Sequence, residues 1–433
     1  MRSLSLLATI LLSAIRAGSA PDPRFDGHGS GQIAPASLEA PPAREAPATS
    51  PADQRFWVVI DAGDAKMRTA AATAGVSIEE VRPGRISGFA TPAALARAKA
   101  AGLKVISADP LSRRLRPLDF PAKDAAYHNF AETAAELKSL ADKAPDLASL
   151  FSIGMTTQGR DIWALRLCPD AKGTAASKKP GILFLGMHHA REHLSTDVPL
   201  LLTKRLLENR KDPEVARLLA GRDIYVIAMV NPDGGEYDVS GDRYHMHRKN
   251  MRANEDGSIG VDLNRNYGWG WGGEGASSYP GDDTYRGPSA FSEPETKAVK
   301  AFVESRTNLT TLLSYHTFSE LVLYPWGGSN APIDDKVALK AYQIMAEEMG
   351  RMTGYRPMQS SGLYIATGDL TDWSWGERGI FSWTFELTPK SIWEGGFYPG
   401  AGAIAAAVQA NWRPMLYLIN LADDPRRAAL RLP

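Results

Sequence analysis

GILFLGMHHAREH, residues 181–193, is the stretch on which the fold turns. Residues 182–185 form a short apolar run ended by Gly186, the pattern of a buried strand. The run delivers His188, His189, Arg191, Glu192 and His193 to the point where the chain turns into a helix. Val198, Leu201, Leu202 and Leu206 continue that helix as one apolar stripe. Imidazole and carboxylate gathered at a strand-to-helix turn suit a zinc ion, which accepts nitrogen and oxygen donors alike. From this stretch alone three readings stand open. His189 and Glu192 can bind zinc as an HxxE pair with a third ligand from far along the chain. His189 and His193 can bind it as HxxEH on a helix, with Glu192 as base. Or the HxxE spacing arises by chance.

The chain has 433 residues, room for more than one domain. Its 49 basic residues balance 49 acidic ones, so composition offers nothing to attract nucleic acid or an anionic membrane surface. Cys168 is the single cysteine, which excludes an intrachain disulfide. With no base or second thiol near it in sequence, it reads as a buried structural residue. Residues 1–20 read as a secretory signal peptide: Arg2, an apolar run from Leu4 to Ile15, then Gly18-Ser19-Ala20 at the cleavage point. The product is expected to be secreted, extracellular or periplasmic. No other apolar run is long enough to cross a bilayer.

Residues 21–53 are dense in Pro, Ala, Gly and Ser and read as a flexible linker. Residues 54–116 read as a small α+β unit of three strands and two helices. The strands fall at 56–61, 86–90 and 103–107, with a Pro83-Gly84 turn before the second. Thr91 caps the second helix, with Pro92 at its first position and Gly102 closing it. Arg113-Arg114-Leu115-Arg116, followed by Pro117, reads as a processing site between this unit and the next. From 117 to 433 the pattern is a larger α/β unit. A helix at 130–143 leads into strands at 150–153 and 162–167. Residues 223–230 (DIYVIAMV) are continuously apolar and read as a central strand. Asn231-Pro232-Asp233-Gly234-Gly235 reads as a turn into about 50 residues of Gly-, Asn- and Trp-rich loop, a length that is usually functional. Helices near 293–305, 336–352 and 401–421 then alternate with strands near 311–315, 321–324 and 382–387.

Four further places carry chemistry. His316 ends the strand LTTLLSYH, where open α/β sheets place their ligands. As a partner to HxxE it would complete a His₂Glu set with one position open. Inside the long loop, Arg248 and the DLNRN stretch from Asp262 to Asn266 offer guanidinium and amide donors suited to clamping a carboxylate. Asp262 can accept a proton from a ligand imidazole and fix its tautomer. Glu386 lies in the otherwise apolar strand SWTFEL. A carboxylate beside an activated water is a natural general base.

HxxE, Arg248, DxNRN, the distant SYH, a Tyr on a Gly-rich loop and TFEL stand in the order found in zinc carboxypeptidases. The resemblance runs from about residue 127 to 424 and is closest to bacterial carboxypeptidase T, through HHAREHL, NPDGGEYD, RKN, DLNRNYG, TYRG, LYI and GFYP. It implies a mixed, roughly eight-stranded sheet with helices on both faces, preceded by an inhibitory α+β prodomain. It implies one zinc ion on His189, Glu192 and His316, with Glu386 as base and Arg248 polarising the scissile carbonyl. Asn264, Arg265 and Tyr364 match the groups that hold the substrate's terminal carboxylate, and Arg191 a subsite residue. Asp369 and Thr371 fall in the pocket for the terminal side chain: the acid suits basic residues, and Thr371 excludes strongly in neither direction. His188 and His193 match no ligand.

The chain departs from its relatives in three places. Phe318 stands where they often carry Tyr, which removes a hydroxyl from the outer subsites. The Trp269–Tyr279 loop has no cysteines, and residues 168–179 hold one acid, Asp170, where carboxypeptidase T binds calcium. Hard cations need several oxygen ligands, which argues against calcium there. The reading is thus a secreted zymogen of a zinc carboxypeptidase, expected as a monomer, that an activating protease releases to act on peptide C-termini. Its rivals are an HxxEH endopeptidase, a zinc deacylase of N-acyl amino acids, and an inactive peptide-binding homologue.

Overall fold

In a computed structural model of the chain, residues 55–110, 124–241 and 243–430 are described. The expected signal peptide, the linker and the Arg113–Arg116 site lie outside the described residues. The described residues belong to one compact unit built on two sheets.

The small sheet comes first. Its elements are β1 (Phe56–Asp61), α1 (Ala65–Thr73), β2 (Ser77–Arg82), β3 (Arg85–Ala90), α2 (Pro92–Ala100) and β4 (Val105–Pro110). The strand order is β2-β3-β1-β4, with every neighbouring pair antiparallel. Sequence reading expected three strands here, and there are four. The strand it missed, β2, reads SIEEVR, in which two glutamates and an arginine break up the apolar pattern. Asp64 and Thr91 cap the two helices by accepting from Met67 N and Ala94 N.

The large unit opens with α3 (Phe130–Lys143), closed at its start by a reciprocal capping box between Asn129 and Glu132. Then follow β5 (Ala148–Met155), β6 (Asp161–Leu167), β7 (Gly181–Leu185), α4 (Leu194–Glu208), α5 (Pro213–Gly221) and β8 (Asp223–Ile227). The expected turn at 231–235 is instead the start of a helix, α6 (Pro232–Asp238). Asn231 caps it by accepting from Gly234 N, and Pro232 sits at its first position. After the long loop come α7 (Pro294–Glu304), β9 (Leu309–Thr317), β10 (Leu321–Tyr324) and α8 (Lys336–Thr353). The chain closes with β11 (Arg356–Gln359), α9 (Leu370–Arg378), β12 (Phe381–Leu387) and α10 (Gly402–Leu421).

The eight strands order as β11-β10-β12-β9-β7-β8-β6-β5. The middle four, β12-β9-β7-β8, are mutually parallel, and the flanks bring in antiparallel pairs. Period-two alternation divides the core between two faces. Ile182 and Phe184 of β7 join Leu137, Leu202, Met345 and Ile419 on one side, under α3, α4, α5, α8 and α10. Leu183 and Leu185 join Val299, Phe302 and Trp373 on the other, under α7 and α9. Helices therefore cover both faces of a mixed eight-stranded sheet, as the sequence implied. Parallel strands end together, so residues that follow β7, β9 and β12 meet at one sheet edge.

Candidate metal centre and substrate cleft

The turn after β7 is built on close approach. A Cβ at Gly186 would lie 2.0 Å from Ser195 O and 2.8 Å from Ala228 O, so only glycine lets the strand end nest against α4 and β8. Ser195 Oγ accepts from Met187 N at 3.0 Å and donates to Glu192 O, bracing the turn from within. Asn231 Nδ2 donates to His188 O and Lys249 O, and Ala190 N to Arg248 O. These bonds lock the residues 188–192 beside Arg248.

His189, Glu192 and His316 converge there, with ligand atoms all within 4.8 Å of one another. Each is at most 4% exposed. Glu192 Oε1 lies 2.8 Å from His189 Nδ1, and its Oε2 3.0 Å from His316 Nδ1. The two Nδ1 atoms stand 3.2 Å apart. Two imidazole nitrogens turned to each other and to one carboxylate are the donor set of a shared cation, and His₂Glu suits zinc. Among the described residues no other cluster offers three such donors. The distal nitrogens are oriented from behind: Asp262 Oδ1 meets His189 Nε2 at 3.1 Å, and Ser314 Oγ meets His316 Nε2 at 3.1 Å. Burial pushes the Glu192 carboxyl up, but His189 and His316 together hold it below the usual carboxylate range. Asp262, also raised by burial, is held well below that range by Arg248 and His189.

His193 turns away. Its Nε2 meets Asp238 Oδ2 at 2.9 Å, in a buried cluster with Tyr398. It is no part of the metal set, which removes the HxxEH arrangement.

Around the centre opens a cleft of about 660 Å³. His189, Arg248, Asn264, Arg265, His316, Tyr364, Asp369, Thr371 and Glu386 all line it. Glu386 pairs with His316 in the β12–β9 register and stands half-buried at the cleft wall. Burial and the nearby Glu192 carboxylate push its carboxyl well above the usual range. Arg248 donates from Nε to Asp262 Oδ2 at 3.0 Å, which leaves the end of its guanidinium toward the cleft. Asn264 Oδ1 accepts from Leu370 N at 3.0 Å, so its amide NH₂ is turned outward. Arg265 is held by the carbonyls of Asn264 and Gly275.

Asp369 uses Oδ1 as the N-cap of α9, accepting from Asp372 N at 2.8 Å and Thr371 Oγ1 at 2.7 Å. Burial raises its carboxyl, and that of Asp372 beside it. Phe318 packs edge-on against Phe397, with ring centroids 5.0 Å apart. Asp170 pairs with Lys179.

Arg191 does not line the cleft. It is fully enclosed, with Glu79 Oε1 of β2 at 2.7 Å and Asp283 Oδ2 at 2.9 Å, between the rings of Phe89 and Phe397. Residues 78–83 of the small unit form one side of the cleft. Arg68 donates to the carbonyls of Gly362 and Leu363, and Thr69 Oγ1 accepts from Ile365 N, so α1 grips the loop that carries Tyr364. The sequence does not single out Ser314 or Glu79, and Asn231 reads there only as the start of a turn. Asn250 accepts from Val261 N and donates to Glu293 and Glu295, anchoring the loop segment that presents Arg248.

A buried His–Glu–His centre at the C-terminal edge of parallel strands, with arginines and a carboxylate lining one cleft, defines a metallohydrolase. The zinc carboxypeptidase family profile (Peptidase_M14) matches residues 133–414. A zinc carboxypeptidase of Saccharothrix mutabilis subsp. capreolus is 33% identical over 399 residues, covering 87% of this chain and 91% of that protein. Bovine (Bos taurus) carboxypeptidase A1 is 32% identical over 303 residues, 68% of this chain and 70% of its own. The crystal structure of carboxypeptidase A from Helicoverpa armigera matches in fold with a TM-score of 0.72 at 24% identity, over 88% of this chain and all of that one. The chain belongs to the zinc carboxypeptidase family, and it is a metallocarboxypeptidase, a peptide hydrolase.

Proposed function

We propose that this protein is a secreted zymogen whose mature form removes C-terminal residues from peptides, with Glu386 as general base. The carrying observation is that Arg265 and Asn264 line the same cleft as the His189–Glu192–His316 centre. Their free donors suit the two oxygens of a terminal carboxylate, and charge-assisted bonds of this kind are each worth roughly 1.5–3 kcal/mol. Held there, a peptide's last amide bond lies between Arg248 and Glu386. A zinc ion held by His189, Glu192 and His316 would supply Lewis acidity, which brings the pKa of water towards about 7. Glu386, kept basic enough by burial, takes the proton of the attacking water and returns it to the leaving amine. Arg248 faces the carbonyl oxygen as it gains negative charge.

The latent state has its own support. With β2 lining the cleft and Glu79 and Phe89 enclosing Arg191, the small unit occupies the wall along which a peptide would lie. Asp369 beside Thr371 and Leu363 fits a pocket that accepts both basic and apolar terminal residues.

The test is to cut the zinc-loaded protein with trypsin and offer paired peptides with free or amidated C-termini. Release of single residues from the free form alone supports the proposal. Cleavage of the amidated form at internal bonds overturns it. Glu386→Gln should keep zinc and lose roughly 10²–10⁴-fold in turnover.

A further inference from the structure

The long loop of the catalytic unit carries a seat for a cation outside the cleft lining. Asp282 and Ser277 are each 1% exposed. Arg97, on α2 of the small unit, pairs its guanidinium with Asp282 Oδ2 and lies 3.8 Å from the centroid of the Tyr279 ring. Ser277 Oγ donates to the same Oδ2, and Thr91 Oγ1 donates to Oδ1 at 3.0 Å. A carboxylate on one side and an aromatic face on another form a receptor matched to a guanidinium or ammonium. The receptor is divided between the units. Asp282, Ser277 and Tyr279 belong to the catalytic unit, whereas Arg97, Thr91 and the close-lying Gly75 belong to the small one; a Cβ on Gly75 would fall 2.1 Å from Asp282 Oδ2.

The seat also lies on a path to the reacting centre. The small-unit chain passes Asp282 at Gly75, reaches Arg191 with Ser77 and Glu79, and lines the cleft beside His189 and Glu386 with residues 78–83. Asp283, the next residue, holds Arg191 from the other side. A peptide that took the place of β2 along this wall would meet Arg191 before Asp282.

We propose that, once the small unit has left, Asp282 and Tyr279 form a subsite for the side chain of an Arg or Lys upstream of the scissile bond. The mature enzyme then favours peptides carrying a basic residue some positions before the C-terminus. This rests on the zymogen reading above, since Arg97 fills the seat until the small unit departs. Arg97 thus stands in for the substrate residue, as a guanidinium already seated by the groups that would receive it.

The experiment uses the zinc-loaded full-length protein cut in place with trypsin. One substrate is an N-acylated dipeptide, too short to reach the seat. The others are longer peptides with the same C-terminal dipeptide, in which a single Arg, Gln or Glu is walked along the upstream positions. At one position Arg should raise kcat/KM roughly tenfold over Gln. Asp282→Asn should erase that advantage and leave the dipeptide rate unchanged. Tyr279→Ala, a change at a residue 52% exposed, should weaken the advantage and decides the matter if the first variant fails to fold. Arg giving no advantage at any position, or an advantage that survives Asp282→Asn, overturns the proposal. If uncut protein hydrolyses the dipeptide as fast as cut protein, the zymogen reading falls, while the peptide series on cut protein still decides the seat.

Discussion

At the scale of single residues, a side chain near the metal centre can serve two partners at once, and Asp262 is the clearest case. Asp262 gives one oxygen to the His189 ring and the other to Arg248, so one carboxylate orients both a candidate ligand and a guanidinium that lines the cleft. His189, Glu192, His316 and Glu386 stood out in sequence through the resemblance to zinc carboxypeptidases, and the structure brings the first three within 4.8 Å of one another as a candidate metal set. The choice between His193 and His316 was not legible from spacing, since only the fold turns His193 to Asp238. His316→Ala should therefore abolish zinc binding and activity, whereas His193→Ala keeps its zinc; atomic spectroscopy of the purified variants checks this, and a zinc-free His193 variant would contradict the assignment. Asp369 divides its oxygens in the same way between capping α9 and facing the cleft. Asp369→Asn keeps the cap, because Asn accepts the same N–H, and removes only charge. It should lower kcat/KM for C-terminal Arg and Lys roughly tenfold, about 1.4 kcal/mol, and barely change Phe or Leu. Burial raises the Asp369 pKa, and only the ionised form meets a cation. The preference for basic residues should therefore fade as the pH falls, through a point above the ordinary Asp value of about 4. A preference that is flat with pH would place the basic-residue contact elsewhere.

At the scale of elements, what the sequence disclosed followed how strongly one period dominated each segment. The run ILFL announced β7 because both of its faces are buried. The helix at 130–143 was legible from its apolar stripe and its capping box. Two segments misled for opposite reasons. SIEEVR hides a strand because Glu79 points to Arg191 rather than to solvent or core, so its polarity belongs to an interface. NPDGG looks like a turn, but its glycines sit in a helix for closeness: a Cβ at Gly235 would lie 2.6 Å from Met187 Sδ. The same kind of closeness at Gly186 yields a prediction. Gly186→Ala brings a methyl into the Ser195 carbonyl, and overpacking of this kind costs typically 1–3 kcal/mol. The variant should melt several degrees lower by calorimetry and bind zinc more weakly, because the strained turn carries His189 and Glu192. A variant with unchanged melting and zinc content would show that the turn shifts freely and is not what positions the ligands.

For the whole molecule, the question is what keeps the small sheet over the cleft. Its contacts are mostly charged: Glu79 on Arg191, Arg55 and Arg97 on the neighbouring Asp283 and Asp282, and Arg68 on loop carbonyls. Apolar contact is narrower, with Phe89 and Trp57 joining Phe318 and Phe397 in one small cluster. Each unit keeps its own apolar core, so freeing the cleft of the proposed zymogen requires breaking only these contacts. Glu79 is the contact to test, because among the described residues it alone joins β2 to the enclosed Arg191 by an ion pair. Removing its charge leaves Asp283 as the one carboxylate paired with Arg191 among the described residues, beside the Ser77 hydroxyl and the Met246 carbonyl. A charged hydrogen bond of this sort is worth roughly 1.5–3 kcal/mol, so the open fraction of uncut protein should rise about tenfold to a hundredfold. Uncut Glu79→Gln should accordingly hydrolyse a short acylated dipeptide faster than uncut wild-type by that factor, while the two proteins are equal once cut. Equal rates for the cut forms separate release of the latch from any change at the reacting centre. If uncut Glu79→Gln stays as inactive as uncut wild-type, the small unit is held by its remaining contacts, and the Glu79–Arg191 pair positions Arg191 without governing access.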